Sequence, residues 1–411
     1  MKQLILLLTR CQPRWYHWPA GLLALGPWLI GCVEPDSPRF KTNVNVVVVD
    51  GTITDLPERQ VVRLNRSRAD PYTGRFGDIP LAGAQVSVVV NGTEEVIGIE
   101  TSPGSYQLPA GFRGRVGDRY QLHFQLADGT PYESSVETMP AVPGIEKVTH
   151  QYNPDGIAAG QVGDLTAAHD LFLTTQDPAG EANYYRWDWV LWERQDWCHT
   201  CPKDLIYYER DASNQLVEGC RDIGNVPISY PRPLFIDYEC RTKCWEILFN
   251  SELNLFSDIY TNGGTIQGRR VAQIPFHQYA PCLVEIRQVG LTPQAYQFYR
   301  RLAEQSQRNG GLADTPPSAP VGNVRNLNDG REPVVGYFSA SAVSVVRYWL
   351  DRKNVTGPAP RLAGESPNLF QALNGRQPVP EPIRGYRGRP PLAVCVPSDR
   401  RTPVAPEGWR E

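Results

Sequence analysis

Nine cysteines are the residues of this chain best suited to chemistry, and their spacing sorts them into groups. Five fall close together, as Cys198-His-Thr-Cys201, Cys220 and Cys240-x3-Cys244. Cys282 and Cys395 follow singly, and Cys11 and Cys32 lie near the start. Two short cysteine pairs could each give two ligands to a tetrahedral zinc, with His199 as a further donor. The same thiols could form structural disulfides, or a redox Cys-x-x-Cys, although the latter lacks its usual βαβ setting. The choice depends on the compartment, and the amino terminus speaks to that.

The first 31 residues hold Lys2, Arg10 and Arg14 and no acidic residue, and they end in an apolar run interrupted by Pro27. A basic start, a short apolar stretch and small residues at the exit describe a secretory signal. Leu29-Ile-Gly-Cys32 has the form of a lipoprotein signal. Residues 1–31 are therefore expected to be removed and Cys32 to be lipidated, with two acyl chains giving a stable membrane anchor. Residues 32–43 would follow as a linker. Export implies an oxidising compartment, which favours disulfides over zinc for Cys198, Cys201, Cys220, Cys240, Cys244, Cys282 and Cys395. Seven is odd, so at least one of them lacks a partner within the chain. No metal and no cofactor is expected, and His199 reads as a loop histidine.

Other constellations are weaker. His169-Asp170, His277 and the scattered serines allow a Ser/His/Asp arrangement on paper. No Gly-x-Ser-x-Gly elbow or His-Glu-x-x-His pair supports it, so the chain reads as non-enzymatic, with no catalytic residue assigned. The aromatic run Tyr184, Trp187, Trp189 and Trp192 offers faces that could stack on a sugar or peptide, and these four are the ligand-binding candidates. Alternating aromatics on a strand more often fill a core. The chain carries 41 Lys+Arg against 44 Asp+Glu, and loss of the basic leader would make it more acidic still. With no basic tract, nucleic acid is not an expected partner.

The elements that position these residues are mostly strands. Pro (37) and Gly (36) are abundant, which suits short strands joined by tight turns. Residues 44–143 read as consecutive strands, with Asn91-Gly92 as a hairpin turn and Asp128-Gly129 as another. Their length and spacing predict an immunoglobulin-like or carboxypeptidase-regulatory-like β-sandwich. Residues 144–354 read as a larger β-rich domain containing the cysteine-rich loop 198–244. It has one clear α-helix near 293–308, capped by Thr292, with Pro293 in its first turn. The fold class is mainly β. Residues 355–411 form a Pro/Gly/Arg-rich tail with no core of its own.

Several segments, taken in order, resemble the domain of unknown function 4249 family, lipoproteins of Bacteroidetes-type envelopes. They are Val47-Val-Val-Asp-Gly-Thr-Ile-Thr54, Val61-Val-Arg-Leu-Asn-Arg-Ser67, Pro80-Leu-Ala-Gly-Ala-Gln-Val-Ser87 and Gly104-Ser-Tyr106. Ala182-Asn-Tyr-Tyr-Arg-Trp187, Ala295-Tyr-Gln-Phe-Tyr299, Gly322-Asn-Val-Arg-Asn326 and Gly336-Tyr-Phe-Ser-Ala340 complete the set. Cys395 matches the first cysteine of the family's closing pattern, while Ser398 stands where a second is often found. The resemblance implies an outer-membrane, surface-exposed lipoprotein, with the periplasmic face as the alternative. It would bind an unknown ligand beside a TonB-dependent receptor. A structural or adhesive surface role is the second reading and an envelope hydrolase the third.

Overall fold

Residue patterning along the strands accounts for most of the architecture. The computed structural model describes residues 46–69, 76–157, 167–199, 204–210, 216–222, 239–250, 252–276, 278–306, 320–355, 395 and 397–411. All belong to one unit, Val44–Glu411. Cys32 lies outside the described residues.

The first nine strands are β1 (Val46–Thr54), β2 (Val61–Ala69), β3 (Phe76–Pro80), β4 (Gln85–Val90), β5 (Glu94–Ser102), β6 (Ser105–Gln107), β7 (Arg119–Gln125), β8 (Pro131–Ser134) and β9 (Glu137–Thr138). Every second residue of β1 turns inward, with Val47, Val49 and Ile53 almost fully buried, as half-covered strands require. Asn91 and Gly92 both have positive φ (53° and 77°), and β4 pairs antiparallel with β5 across them. The expected hairpin is thus present.

The rest of the chain forms β10 (Ile145–Asn153), β11 (Ala168–Gln176), β12 (Tyr184–His199), β13 (Asp204–Arg210), β14 (Leu216–Asp222), β15 (Glu239–Phe249), β16 (Asn254–Ser257), β17 (Thr265–Pro275) and β18 (Cys282–Gly290). Then come α1 (Pro293–Ser306), β19 (Val324–Asn326), β20 (Val334–Ser341), β21 (Val343–Leu350) and β22 (Arg401–Thr402). The fold is mainly β, and α1 is its one α-helix among the described residues. The Thr292 hydroxyl accepts from the Ala295 N–H at 3.2 Å, the capping bond expected there.

Sheet order carries information that the strand pattern lacks. The large sheet runs β19-β8-β7-β4-β5-β6-β2-β1-β20. Its two outer members come from residues 324–341, well beyond the 44–143 segment read as a sandwich. β20 lies parallel to β1, from Val47↔Val334 to Thr54↔Ser341. Parallel neighbours need a long crossover, and here most of the second region forms it. A second sheet, β21-β18-β12-β15-β22, has β16 beside the start of β12. It packs with β10-β11-β17 around Leu171, Leu173, Trp187, Leu191, Ile274 and Val284.

Glu137 ties these parts together. It is buried and accepts from Tyr337 Oη at 2.8 Å and from Thr292 Oγ1 at 2.7 Å. One carboxylate therefore joins β9, β20 and the cap of α1.

The end of the tail is docked. Cys395 is disulfide-bonded to Cys244 in β15, and β22 pairs with β15. The Trp409 ring meets those of Trp245 and Trp349 edge-on, at 5.7 and 5.0 Å.

Candidate functional site

A cleft of about 720 Å³ opens where β12 changes partners. Tyr184–Trp187 pair with β16, and from Val190 onward β12 pairs with β15. Between them the chain turns at Asn250, whose Oδ1 accepts from the Trp189 N–H at 3.0 Å. Trp187 and Trp189, on the same face of β12, form one wall. β17 brings Arg269 and Arg270, and α1 brings Tyr296 and Arg300. The volume falls in the range of small-molecule sites.

Arg269 gives the cleft its electrostatic character. Its guanidinium lies 5.4 Å from the Trp187 ring centroid and 5.7 Å from that of Phe256, a stacked arrangement favourable for a cation. Its Nη2 donates to Asn254 Oδ1 at 2.7 Å and to the Leu255 carbonyl at 3.1 Å. Its Nε is buried without a partner. No carboxylate pairs with it among the described residues. Burial first, and then the charge of Arg270, pull its pKa below the ordinary arginine value. Both effects are those of a cation lacking an anion.

Its neighbours are better compensated. Arg300 pairs with Glu304 one helical turn on, at 2.9 Å. Arg270 Nη1 lies 3.8 Å from Asp170 Oδ1. Arg186 sits on the other face of β12, bonded to Asp188 at 2.9 Å and lying over Tyr299. Burial opposes its charge, but Asp188 and Tyr299 outweigh that and raise its pKa.

Of the four aromatic candidates, the structure brings Trp187 and Trp189 into the cleft. Trp187 is fully buried, its indole N–H donating to Gln288 Oε1 at 2.9 Å, so it is also a core residue. Tyr184 packs against Tyr296 at 4.8 Å beside the cleft. Trp192, of opposite parity to Trp189, lies across from Ile247 and Leu283 and does not line it. Sequence reasoning missed Arg269, Asn254 and Phe256. An Arg-Arg pair in the middle of an apolar strand was the available signal.

The cysteines separate. Cys244 and Cys395 are bonded. Cys198 and Cys240 are register partners across β12 and β15, Cys220 lies in β14 opposite Ile206, and Cys201 is outside the described residues. Cys282, counted among the cross-link candidates, is a free and buried thiol. It faces Glu193 and Arg352 where a cross-link would need a second sulfur, and burial, then Glu193, push its pKa well up. No group of three or more metal-ligating side chains occurs among the described residues.

His169 is fully buried and makes no hydrogen bond through either nitrogen. Asp170 instead accepts from Asn153 at 2.9 Å and from Gln273 at 2.8 Å. His277 lies outside the described residues.

Against known families, the profile of the family described as Domain of unknown function (DUF4249) matches residues 33–347. The chain belongs to this family. No curated protein and no solved structure matches it. As a DUF4249 protein it brings together segments distant in sequence. Ala182–Trp187 meets Ala295–Tyr299 through the Arg186–Tyr299 and Tyr184–Tyr296 contacts. Those two contacts hold α1 beside the cleft.

Proposed function

We propose that this DUF4249 protein is a non-enzymatic binding lipoprotein of the outer membrane, anchored through Cys32. It captures a small ligand in the Trp187/Trp189/Arg269 cleft beside a TonB-dependent receptor. The observation carrying this reading is the cleft itself, an aromatic-walled cavity holding an arginine without a counter-ion. A well-formed cleft with aromatic walls and a few convergent polar groups is the default location for a ligand. Support for the location comes from the basic leader and the Leu29-Ile-Gly-Cys32 signal. The receptor is supported by family context.

The test is acyl labelling and fractionation of the wild-type chain and Cys32→Ser, with affinity capture from detergent-solubilised outer membrane. Wild type should label, sediment with membrane and recover a receptor, and Cys32→Ser should do none of these. Unchanged labelling of Cys32→Ser would remove the anchor. Capture without any receptor would remove the accessory role.

A further inference from the structure

We propose that the occupant of the cleft is an organic monoanion, a carboxylate carried on a flat apolar body, with Arg269 as its counter-charge. This inference rests on the reading of the cleft as a binding site. Three features of the geometry select that class.

The first is the unmatched cation. Arg269 spends Nη2 on Asn254 and Leu255, which fixes the plane of the guanidinium. Nε is buried behind the cleft surface, and no bond engages Nη1 among the described residues. A guanidinium held in one plane with free N–H groups is pre-organised for a planar carboxylate. Burial, and then the charge of Arg270, lower the Arg269 pKa, and a bound anion would oppose both effects.

The second is the charge inventory. Arg269, Arg270 and Arg300 line the cleft together with Glu252 and Glu304. Asp170 lies 3.8 Å from Arg270 and Glu304 is bonded to Arg300. Among the described residues Arg269 is therefore the arginine of the three without a paired carboxylate, and one unmatched cation suits a monoanion better than a phosphate dianion. The unmatched cation thus lies on the β17 side of the cleft, at Arg269.

The third is the wall. Trp189 and Tyr296, both partly exposed, supply aromatic surface on which a flat body can stack, each such contact contributing beyond area burial alone, while the buried Trp187 backs Arg269. The cavity, about 720 Å³, is far larger than a bare carboxylate needs. The anion and the flat body would thus be recognised by different elements, β17 for the charge and β12 with α1 for the ring.

The test uses 2-naphthoate, its neutral isostere 2-naphthamide and acetate, titrated calorimetrically into the detergent-solubilised full-length lipoprotein. Naphthoate should bind at least about ten-fold tighter than the amide, the worth of one charge-assisted hydrogen bond. Acetate should bind far more weakly than naphthoate. Arg269→Gln should weaken naphthoate by far more than it weakens the amide, bringing the two probes to similar affinity. Because Arg269 also packs on Trp187 and Phe256, Arg270→Gln at an exposed position provides a second variant. It should weaken naphthoate by roughly two- to five-fold, as one nearby partly screened charge would, without affecting the amide.

Equal affinity for acid and amide, or equal loss of both in Arg270→Gln, would overturn the anion and leave the binding reading standing. Absence of binding by either naphthyl probe would remove the cleft as a ligand site, and the reading with it.

Discussion

Acid should destabilise this protein through a single buried imidazole. His169 is fully buried, its ring packed against those of His150, Tyr152 and Phe276 at centroid separations of 5.7, 5.4 and 5.7 Å. Neither nitrogen has a partner. Burial above all, then the charges of Arg352 and His150, lower its pKa from 6.5 to about 4, while Asp351 and Glu193 act weakly the other way. Between those two values an unfolded chain holds a proton on this residue and the folded chain does not. Acidification through that window therefore favours unfolding, and the stability contributed by the neutral ring is fully present only above about pH 6.5. At ~1.4 kcal/mol per pH unit, the span amounts to about 3 kcal/mol lost on going from pH 6.5 to 4.

His169→Phe keeps the aromatic packing and removes both unpaired nitrogens. The assay is urea unfolding followed by tryptophan fluorescence at four pH values from 7.5 to 4.5, comparing wild type with the variant. Carboxylates elsewhere contribute to both curves, so the difference between them isolates His169. That difference should grow by roughly 2 to 3 kcal/mol toward the acid end. Parallel curves would refute the reasoning and imply that the imidazole is solvated or bonded in solution.

Other perturbations probe the scaffold. Gly336→Ala should cost about 3 kcal/mol or more, read as a lowered Tm or loss of soluble protein. Its φ is +91°, and an added Cβ would lie 1.9 Å from the Val49 carbonyl oxygen on the neighbouring strand. Cys395→Ser opens a disulfide spanning 151 residues, worth up to about 5 kcal/mol by chain entropy. It should lower Tm and expose Arg400 and Arg401 to trypsin, and an unchanged digestion pattern would contradict the tether. Asp258→Asn should raise Tm at pH 7.5. Asp258 is buried, with one oxygen unpartnered, and burial with the nearby Asp177 pushes its pKa up. A carboxyl shifted upward favours folding at low pH and loses that contribution as pH rises through the folded pKa, so the gain from the amide should fade on acidification.

Strands, hairpin and helix were legible in the sequence because each is encoded locally. Alternation in β1, Asn91-Gly92 at positive φ, and Thr292 ahead of Pro293 are short-range signals, and the structure answers each of them. Pairing was not legible. Nothing local in Val334–Ser341 says that it must lie parallel to Val46–Thr54 and close a sheet begun nearly three hundred residues earlier. The cysteines show the same limit. Their count allows many pairings, and the bond between Cys244 and Cys395 depends on how the tail crosses β15. Of the site, the aromatic wall was half visible, since Trp187 and Trp189 sit in a conspicuous run. Arg269 was not, because what matters about it is the lack of a counter-ion, which only three-dimensional neighbours reveal.

The segments that carry the family resemblance have, in this chain, mainly architectural work. An added Cβ on Gly322 would meet the Gly336 carbonyl oxygen at 1.7 Å, so two separate motif glycines are one close backbone approach. Tyr106 donates to the Leu81 carbonyl at 2.6 Å and accepts from the Ala84 N–H at 2.9 Å, joining another pair of motif segments. Arg186 over Tyr299 joins a third pair and holds α1 where it borders the cleft. The cleft's polar determinants, Arg269, Arg270 and Asn254, belong to none of these segments. The cleft's charge is therefore encoded outside the segments that build the scaffold, while Trp187 and Tyr296 of its wall lie within them. A substitution such as Arg270→Gln should change what is bound without touching the contacts that hold the sheets together, whereas Gly336→Ala should abolish binding only by abolishing the fold.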